Sequence, residues 1–365
     1  MKALVFKGVN EIGIEEVPKP RIEDDEDVIV RCLATTICGT DIHLINGKTP
    51  GMRPGQILGH EMVGIVEEVG DRVSRLAPGD RVVIPSTIAC GRCGMCRQGS
   101  FSHCLTVLRG KTAFFGGPED AGHFPGLQAE YARVPFADVG ALKVPGDLSN
   151  EAALCLSDIF PTAYFAVDNA QVTDGESVAV FGCGPVGLYA VLSAATQGAN
   201  PIFAVDREAA RLEIARRFPS TRAIDFSRED PVEVIRGETG MGADVVLDCV
   251  GIDASDPSGR PAPGQAQAFA LQCVRATGVM SIVGLYPSPL ANYPLGQVVD
   301  KNLSVVAGNC NHRAYLAELL DYLRTHPADG EFVWTHRMPF ERIGQAYDFF
   351  INKREGMIKP FITMH

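Results

Sequence analysis

The chain has no apolar run near the ~18 residues that a membrane-spanning helix needs. Tryptophan occurs once and aromatics make up 7% of the residues. No stretch interleaves them with basic residues as a nucleic-acid surface would. Positive charge is in deficit: 33 Lys and Arg face 44 Asp and Glu, a formal net charge of -11. Nucleic acid and an anionic membrane both need clustered cations, so neither is expected as a partner. The opening residues, MKALVFKGVNEIGIEE, show no sustained apolar core and no small-residue cleavage site, so no secretory signal is read. Internal repeats and low-complexity tracts are also missing. What remains is a globular composition, 46% hydrophobic and 21% charged, on a 365-residue chain long enough for two domains.

Cysteine is plentiful, with 11 residues. Without a secretory signal, that number predicts a reducing, cytoplasmic setting in which thiolates serve metals. Cys90, Cys93, Cys96 and Cys104 form a C-x2-C-x2-C-x7-C run. Gly91, Gly94, Gln98 and Gly99 let the short loop fold back on itself. Zn²⁺ takes four thiolates tetrahedrally, and disulfides within so tight a cluster would be strained. A four-ligand cage leaves no open position, so it predicts a structural zinc.

The first third reads as short β runs (KALVF, DVIVRCLA, MVGIVEEVG, RVVIP, EYARV) between Gly, Pro and Asp breakers. From about Ala152 the texture changes. SVAVFG, PIFAVD, ADVVLDCVG and VMSIVGL alternate with the helical patterns PVGLYAVLSAATQG, REAARLEIARRF and QAQAFALQCVRATG. Strands alternating with helices predict a doubly wound parallel sheet of the Rossmann type. After Asn302 come the run LSVVAG, two helices and a terminal strand near MIKPFITM. The expected domains are 1–155, a β-rich catalytic and zinc-binding domain; 156–300, a dinucleotide-binding domain; and 301–365, a segment largely returning to the first. Asp253 to Gly264 (DASDPSGRPAPG) reads as a linker-like insertion.

Gly182, Gly184 and Gly187, with Pro185 and Val186 between them, form G-x-G-x-x-G where the SVAVF strand meets the next helix. The first glycine permits the tight turn, the second admits a pyrophosphate to the backbone, and the third lets helix pack on strand. The phosphates would rest on free N–H groups at the helix N-terminus. Asp206 ends the next strand, where a carboxylate accepts from both ribose hydroxyls and repels a 2′-phosphate. That predicts NAD rather than NADP. Arg207 beside it weakens the preference, because a guanidinium can face a phosphate.

Cys38 in ICGTDIH and His60 in GHEMVG are each unremarkable alone, a small core thiol and a buried imidazole. Together they form CGTDxH followed by G-H-E-x-x-G-x5-G-x-x-V, through Gly59, Glu61, Gly64, Gly70 and Val73. With these motifs the chain resembles zinc-containing members of the medium-chain alcohol dehydrogenase/reductase superfamily over essentially its whole length. The resemblance implies a GroES-like catalytic domain beside the Rossmann domain, two Zn per subunit, and NAD.

It further implies that Cys38 and His60 are ligands of a catalytic zinc. The third ligand falls in LCLSDIFPTAYFA, pointing to Asp158, with Cys155 as competitor. Glu61 corresponds to a glutamate that replaces the metal-bound water in some relatives. Thr40 stands where a hydroxyl meets the substrate oxygen, His43 where a histidine forms the outer member of a proton relay, and Asp41 where a carboxylate orients the histidine ligand. Thr162, Val186, Val283 and Leu285 match nicotinamide contacts, and Val250 lies on the cofactor side. Arg211 matches a basic residue near the adenosine ribose, and Lys359 one that reaches the pyrophosphate. Gly39 departs from relatives that carry arginine there.

LSDIFPT, the insertion after DCVG, and LGQVVDKNLSVVAGNCNHR are similar to the branch containing glutathione-independent formaldehyde dehydrogenases. The activity implied is hydride transfer between a primary or secondary alcohol, or its aldehyde or ketone, and NAD(H). The alternative is a formaldehyde or aldehyde dehydrogenase or dismutase with tightly held NAD. The short, proline-containing insertion reads more like a solvated flap than a cover for bound cofactor. Phe114, Phe115 and Phe124 fit a substrate pocket or the core equally well. The edge formed by residues 281–287 (SIVGLYP) and LSVVAG resembles the one through which relatives pair, so a homodimer or homotetramer is expected.

Overall fold

The computed structural model describes residues 1–286 and 293–364. The chain divides into two compact units, 1–161 together with 311–365, and 162–310.

In the second unit, six parallel strands lie in the order Thr221–Asp225, Ile202–Asp206, Val178–Phe181, Ala243–Asp248, Val274–Ile282 and Ser304–Ala307. This is the doubly wound Rossmann order, with the first strand in sequence at the centre. Val178–Phe181 and Ile202–Asp206 are buried at every position, as strands covered on both faces must be. The helices between them include Pro185–Thr196, Ala209–Ala215, Pro231–Thr239 and Gln265–Cys273. Two details differ from the sequence reading. The polar strand Thr221–Asp225 had no apolar run to announce it, and the stretch read as helix through Gly278 turns into strand at Val274.

The first unit is mainly β, the GroES-like architecture. Its larger sheet runs Trp334–Pro339, Lys359–Thr363, Val28–Thr35, Met62–Val69, Arg81–Ile84 and Leu142–Lys143, and Tyr131–Val134 also pairs with Val28–Thr35. Lys2–Gly8 and Glu11–Glu16 form a separate hairpin. Val28, Val30, Met62, Val66, Val82, Ile84, Phe115 and Leu127 fill one core of this unit. The chain's last two strands complete the sheet, so the C-terminal segment does return to this unit. It returns from Asn311, however, not 301, because Ser304–Ala307 pairs with Val279–Ile282 as the sixth parallel strand. No helix among the described residues is long and apolar enough to cross a membrane.

Candidate functional site

The sulfurs of Cys90, Cys93, Cys96 and Cys104 all lie within 4.8 Å of one another. Cys93 Sγ is 3.5 Å from Cys96 Sγ and 3.9 Å from Cys104 Sγ, and none of these cysteines is in a disulfide. A tetrahedron with Zn–S bonds near 2.3 Å has edges of about 3.8 Å, so the thiols already stand at the spacing a zinc ion demands. Cys93 and Cys96 respond oppositely to their surroundings. The backbone N–H of Cys96 leads the groups that lower the Cys93 thiol to about 6, whereas burial pushes Cys96 up to about 12. Only a bound dication would let all four ionise together.

A second set gathers in the same unit. Ligand atoms of Cys38, His60, Glu61 and Asp158 lie within 4.8 Å of one another. Asp158 Oδ2 is 3.7 Å from Cys38 Sγ and 3.5 Å from His60 Nε2. These approach the edges, about 3.3–3.5 Å, of a tetrahedron built on ordinary zinc–ligand bonds. Cys155, the competitor, points its thiol to the Ala152 carbonyl at 3.1 Å instead.

Local stitching explains why residues so far apart in sequence converge. Ser149 caps the helix Asn150–Leu154 by accepting from the Ala152 N–H at 3.1 Å, and a single 3-10 turn, Cys155–Ser157, then delivers Asp158. Ser157 Oγ donates to the Ile84 carbonyl at 2.8 Å and accepts from the Met62 N–H at 3.2 Å. The Ser86 N–H donates to the Ser157 carbonyl at 2.9 Å. Each bond contributes only ~1 kcal/mol, but together they tie Asp158 to the strand that His60 precedes.

Asp41 and His60 have the geometry that fixes an imidazole ligand. His60 Nδ1 is 3.1 Å from Asp41 Oδ1, an ion-pair contact on the ring edge away from the metal set, while Nε2 faces Asp158. Asp41 Oδ2 is held by the Cys38 N–H at 3.0 Å and by Gln128 Nε2 at 3.4 Å. Gln128 is itself bonded to the Thr36 carbonyl and accepts from Tyr347 Oη at 2.9 Å. Burial opposes charge on His60, but Asp41, Asp158 and Cys38 outweigh it and raise its pKa well above the ordinary value.

Lys359 differs from expectation. Instead of offering itself to a pyrophosphate, its ammonium is fully buried, 2.8 Å from Glu61 Oε1 and 3.0 Å from the Ile37 carbonyl. Burial disfavours its charge, yet the Glu61 carboxylate keeps it protonated. Glu61 Oε2 is buried and has no hydrogen-bond partner among the described residues, an orphan acceptor on the metal set. His43, expected to receive a proton, is itself buried. It is 4% exposed, so its ring is not an open outlet to water. Thr40 lies with it on the helix Gly39–Ile45, three positions apart and hence on one face. Of the three phenylalanines, Phe115 and Phe124 pack in the β core, while Phe114 sits edge-on to His60 with centroids 6.1 Å apart.

In the other unit, Gly182 has φ +85°, and a Cβ on Gly187 would lie 1.7 Å from the Gly182 carbonyl oxygen, so the turn closes only with glycine at these places. A Cβ on Gly184 would meet the Arg211 guanidinium at 3.9 Å, and no side chain caps the helix Pro185–Thr196 that follows. These are the shape and the free N–H groups that a pyrophosphate requires. Asp206 is 5% exposed, with Oδ2 accepting from the Cys183 N–H at 2.7 Å and Oδ1 from the Arg207 and Glu208 N–H groups at 2.7 and 2.9 Å. Arg211 Nη1 approaches Oδ2 at the longer distance of 3.4 Å. Val250 lies against Gly182, while Val283 and Leu285 emerge beyond the neighbouring strand, with Val283 N–H bonded to the Asp248 carbonyl and Leu285 39% exposed. Thr162 and Val186 are half-buried, Val186 near the start of its helix.

The insertion is mostly exposed and carries its own internal bonds. Ala254 and Ala262 are bonded across it, Asp256 binds Arg260 and Ser258, and Gly259 abuts the Arg207 guanidinium.

A β unit carrying two thiolate-containing metal sets and a Rossmann unit with a nucleotide loop define a zinc-binding oxidoreductase class. The family comparisons agree. The alcohol dehydrogenase GroES-like domain matches residues 24–146, and the zinc-binding dehydrogenase family matches residues 185–325. An uncharacterised zinc-type alcohol dehydrogenase-like protein of Bacillus subtilis is 37% identical over 98% of this chain and 99% of its own. A glutathione-independent formaldehyde dehydrogenase of Pseudomonas aeruginosa is 34% identical over 78% of this chain and 75% of its own. The solved alcohol dehydrogenase of Thermus sp. ATN1 superposes with a TM-score of 0.89 at 36% identity, covering both chains completely. The chain belongs to the zinc-containing medium-chain alcohol dehydrogenase/reductase superfamily.

Sequence reasoning missed Ser86, Thr87, Gln128, Ser157, His312 and Tyr347 around the metal set. None sits in a spacing that signals chemistry, and His312 entered only as part of the NCNHR run.

Proposed function

We propose that the protein is an NAD-dependent zinc alcohol dehydrogenase, transferring hydride between a small primary or secondary alcohol, or its aldehyde or ketone, and NAD(H). The observation that carries this reading is the convergence of Cys38, His60 and Asp158, with the Asp41 carboxylate 3.1 Å from the far nitrogen of His60. Cys38 Sγ, His60 Nε2 and Asp158 Oδ2 would hold a catalytic zinc, and the four-cysteine loop a structural one. When bound, zinc supplies a Lewis acid that eases loss of an alcohol proton, and nicotinamide supplies the hydride acceptor. Thr40 Oγ1 would accept that proton while its own hydroxyl proton passes on, and His43, on the same helix face, would be the group that receives it. Phe114, edge-on to His60, would supply an apolar wall on that side of the site. Lys359 anchors Glu61 Oε1 and so restrains the carboxylate that would otherwise compete as a further ligand.

The buried negative charge of Asp206 supports NAD over NADP, since a 2′-phosphate would meet it directly. Asp206→Ala is expected to raise the NADP/NAD ratio of kcat/KM, with Arg207 and Arg211 then free to face the phosphate. Three backbone N–H groups lose their acceptor in that variant, at ~1–3 kcal/mol for each that stays buried and unsatisfied, so its Tm should fall. Equal kcat/KM for NAD and NADP in the wild type would refute the preference. A substrate screen in both directions, following NADH absorbance, tests the activity itself. Zinc-replete protein that turns over no alcohol, aldehyde or ketone would defeat it.

Homodimers or homotetramers are proposed through the edge strand Ser304–Ala307, where Val305 is 39% exposed and the neighbouring helix exposes Leu295 and Val299 at 62% and 66%. Pro287 of the expected pairing segment lies outside the described residues. Light scattering checks this, and a stable monomer at micromolar concentration would contradict it.

A further inference from the structure

Asp158 uses its two oxygens differently. Oδ2 faces Cys38 and His60, whereas Oδ1 turns the other way and lies 2.7 Å from His312 Nε2. His312 is 3% exposed and opens the helix His312–Thr325, far along the chain from Asp158. It is not among the groups whose ligand atoms converge on the metal set, so it stands one layer behind. Its ring is fixed on the opposite side by Thr87 Oγ1, 3.1 Å from Nδ1, and Ser86 Oγ lies 3.2 Å from Nε2 and 3.4 Å from Asp158 Oδ1. A carboxylate oxygen can only accept, so Nε2 donates to Oδ1, and the Thr87 hydroxyl answers whatever Nδ1 presents.

The placement of His312 has its own support. Asn311 Oδ1 accepts from Ser102 N–H at 3.0 Å and Ser102 Oγ at 2.8 Å. Ser102 is 1% exposed and lies between Cys96 and Cys104 of the four-cysteine loop. The residue before His312 is thus pinned by the structural zinc lobe, and the ring by Thr87.

From this geometry we infer that His312 is a positioning residue for Asp158, restraining Oδ1 so that the carboxylate meets the metal through Oδ2 alone. This rests on the reading of Asp158 as a zinc ligand. An aspartate released from its outer partner can rotate and offer both oxygens. A two-oxygen grip would occupy the coordination position that a catalytic zinc must keep open for substrate. Holding one oxygen back therefore serves turnover as well as affinity, which a purely structural histidine would not do.

The test uses the full-length holoenzyme with cobalt placed in the catalytic site and zinc left in the cage. Four variants are compared with wild type: His312→Ala, His312→Gln, Thr87→Val and Asp158→Asn. His312→Ala should lower kcat by about 10–100-fold, as loss of an outer-shell partner does. It should also weaken the cobalt d–d bands toward a higher coordination number and speed metal loss to a chelator, while the cage keeps its zinc. His312→Gln, whose amide can reach Oδ1, should recover most of the spectrum and rate, and Thr87→Val should fall between. A His312→Ala enzyme with wild-type bands, metal off-rate and kcat would overturn the assignment. Should that variant fail to fold, unchanged bands and off-rate in Thr87→Val would overturn it instead. Asp158→Asn separates the two claims. If it keeps the catalytic metal with wild-type affinity, the ligand reading fails. If it loses the metal while His312→Ala behaves as wild type, only the His312 inference fails.

Discussion

Asp158→Ala is expected to remove measurable alcohol oxidation and to lower zinc from two equivalents per chain to one, while leaving the fold intact. The loss should exceed the 10–100-fold typical of an outer-shell partner, because the substituted group is a ligand itself. Two features explain why the effect concentrates on activity. Ser157, through its hydroxyl and its carbonyl, stitches this turn to the strands, so its bonds to Ile84, Met62 and Ser86 survive the substitution. The carboxylate is the acid that neutralises a metal bound by Cys38 and His60, and alanine supplies nothing in its place. His312 then loses its acceptor, at ~1–3 kcal/mol if it stays unsatisfied, so a modest fall in Tm is also expected. Elemental analysis and a steady-state assay on one sample read both outcomes. A variant retaining two zinc per chain would show that the third ligand lies elsewhere.

The opposite pattern is expected of the cage. Cys104→Ser should cost stability and solubility first. Cys104 Sγ is 1% exposed, accepts from the Cys90 N–H at 3.4 Å and stands 3.9 Å from Cys93 Sγ. Free energies of binding for structural zinc in small peptides are about 10–16 kcal/mol at neutral pH. Even a small part of that, lost from a domain whose net stability is typically ~5–15 kcal/mol, would bring a marked drop in Tm. Because Ser102 pins Asn311 beside His312, activity should fall as well, in proportion to how far the lobe loosens. Thermal melts with zinc analysis test this. A Cys104→Ser protein with unchanged Tm and one zinc fewer would mean that the cage is dispensable to the fold.

Much of the site was legible where chemistry and spacing coincide in a short stretch. Four cysteines within one loop, the glycine triplet between strand and helix, and the CGTDxH and GHE segments all carry their meaning locally. The parallel strands were legible as apolar runs, except Thr221–Asp225, whose edge position tolerates polar residues. What lay hidden was contact made by chain closure. Lys359 reaches Glu61 only because the last strand inserts beside Val28–Thr35, and His312 reaches Asp158 only because the C-terminal segment returns to the β unit. An ordinary histidine or lysine far along the chain carries no sign of its partner. The buried position of His43 was hidden for the same reason, since its helical spacing to Thr40 says nothing about what covers it.

The most direct test of the account follows hydride transfer while the two zinc populations are separated. Timed chelation of the purified enzyme should release one equivalent before the other, because only the Cys38–His60–Asp158 set has fewer than four thiolates. NADH formation from an active alcohol should fall in step with that first equivalent, while near-native circular dichroism persists, and zinc readdition should restore the rate. Activity that survives loss of the first equivalent, or wild-type protein that saturates at a single zinc, would contradict the assignment of a catalytic zinc site distinct from the cage.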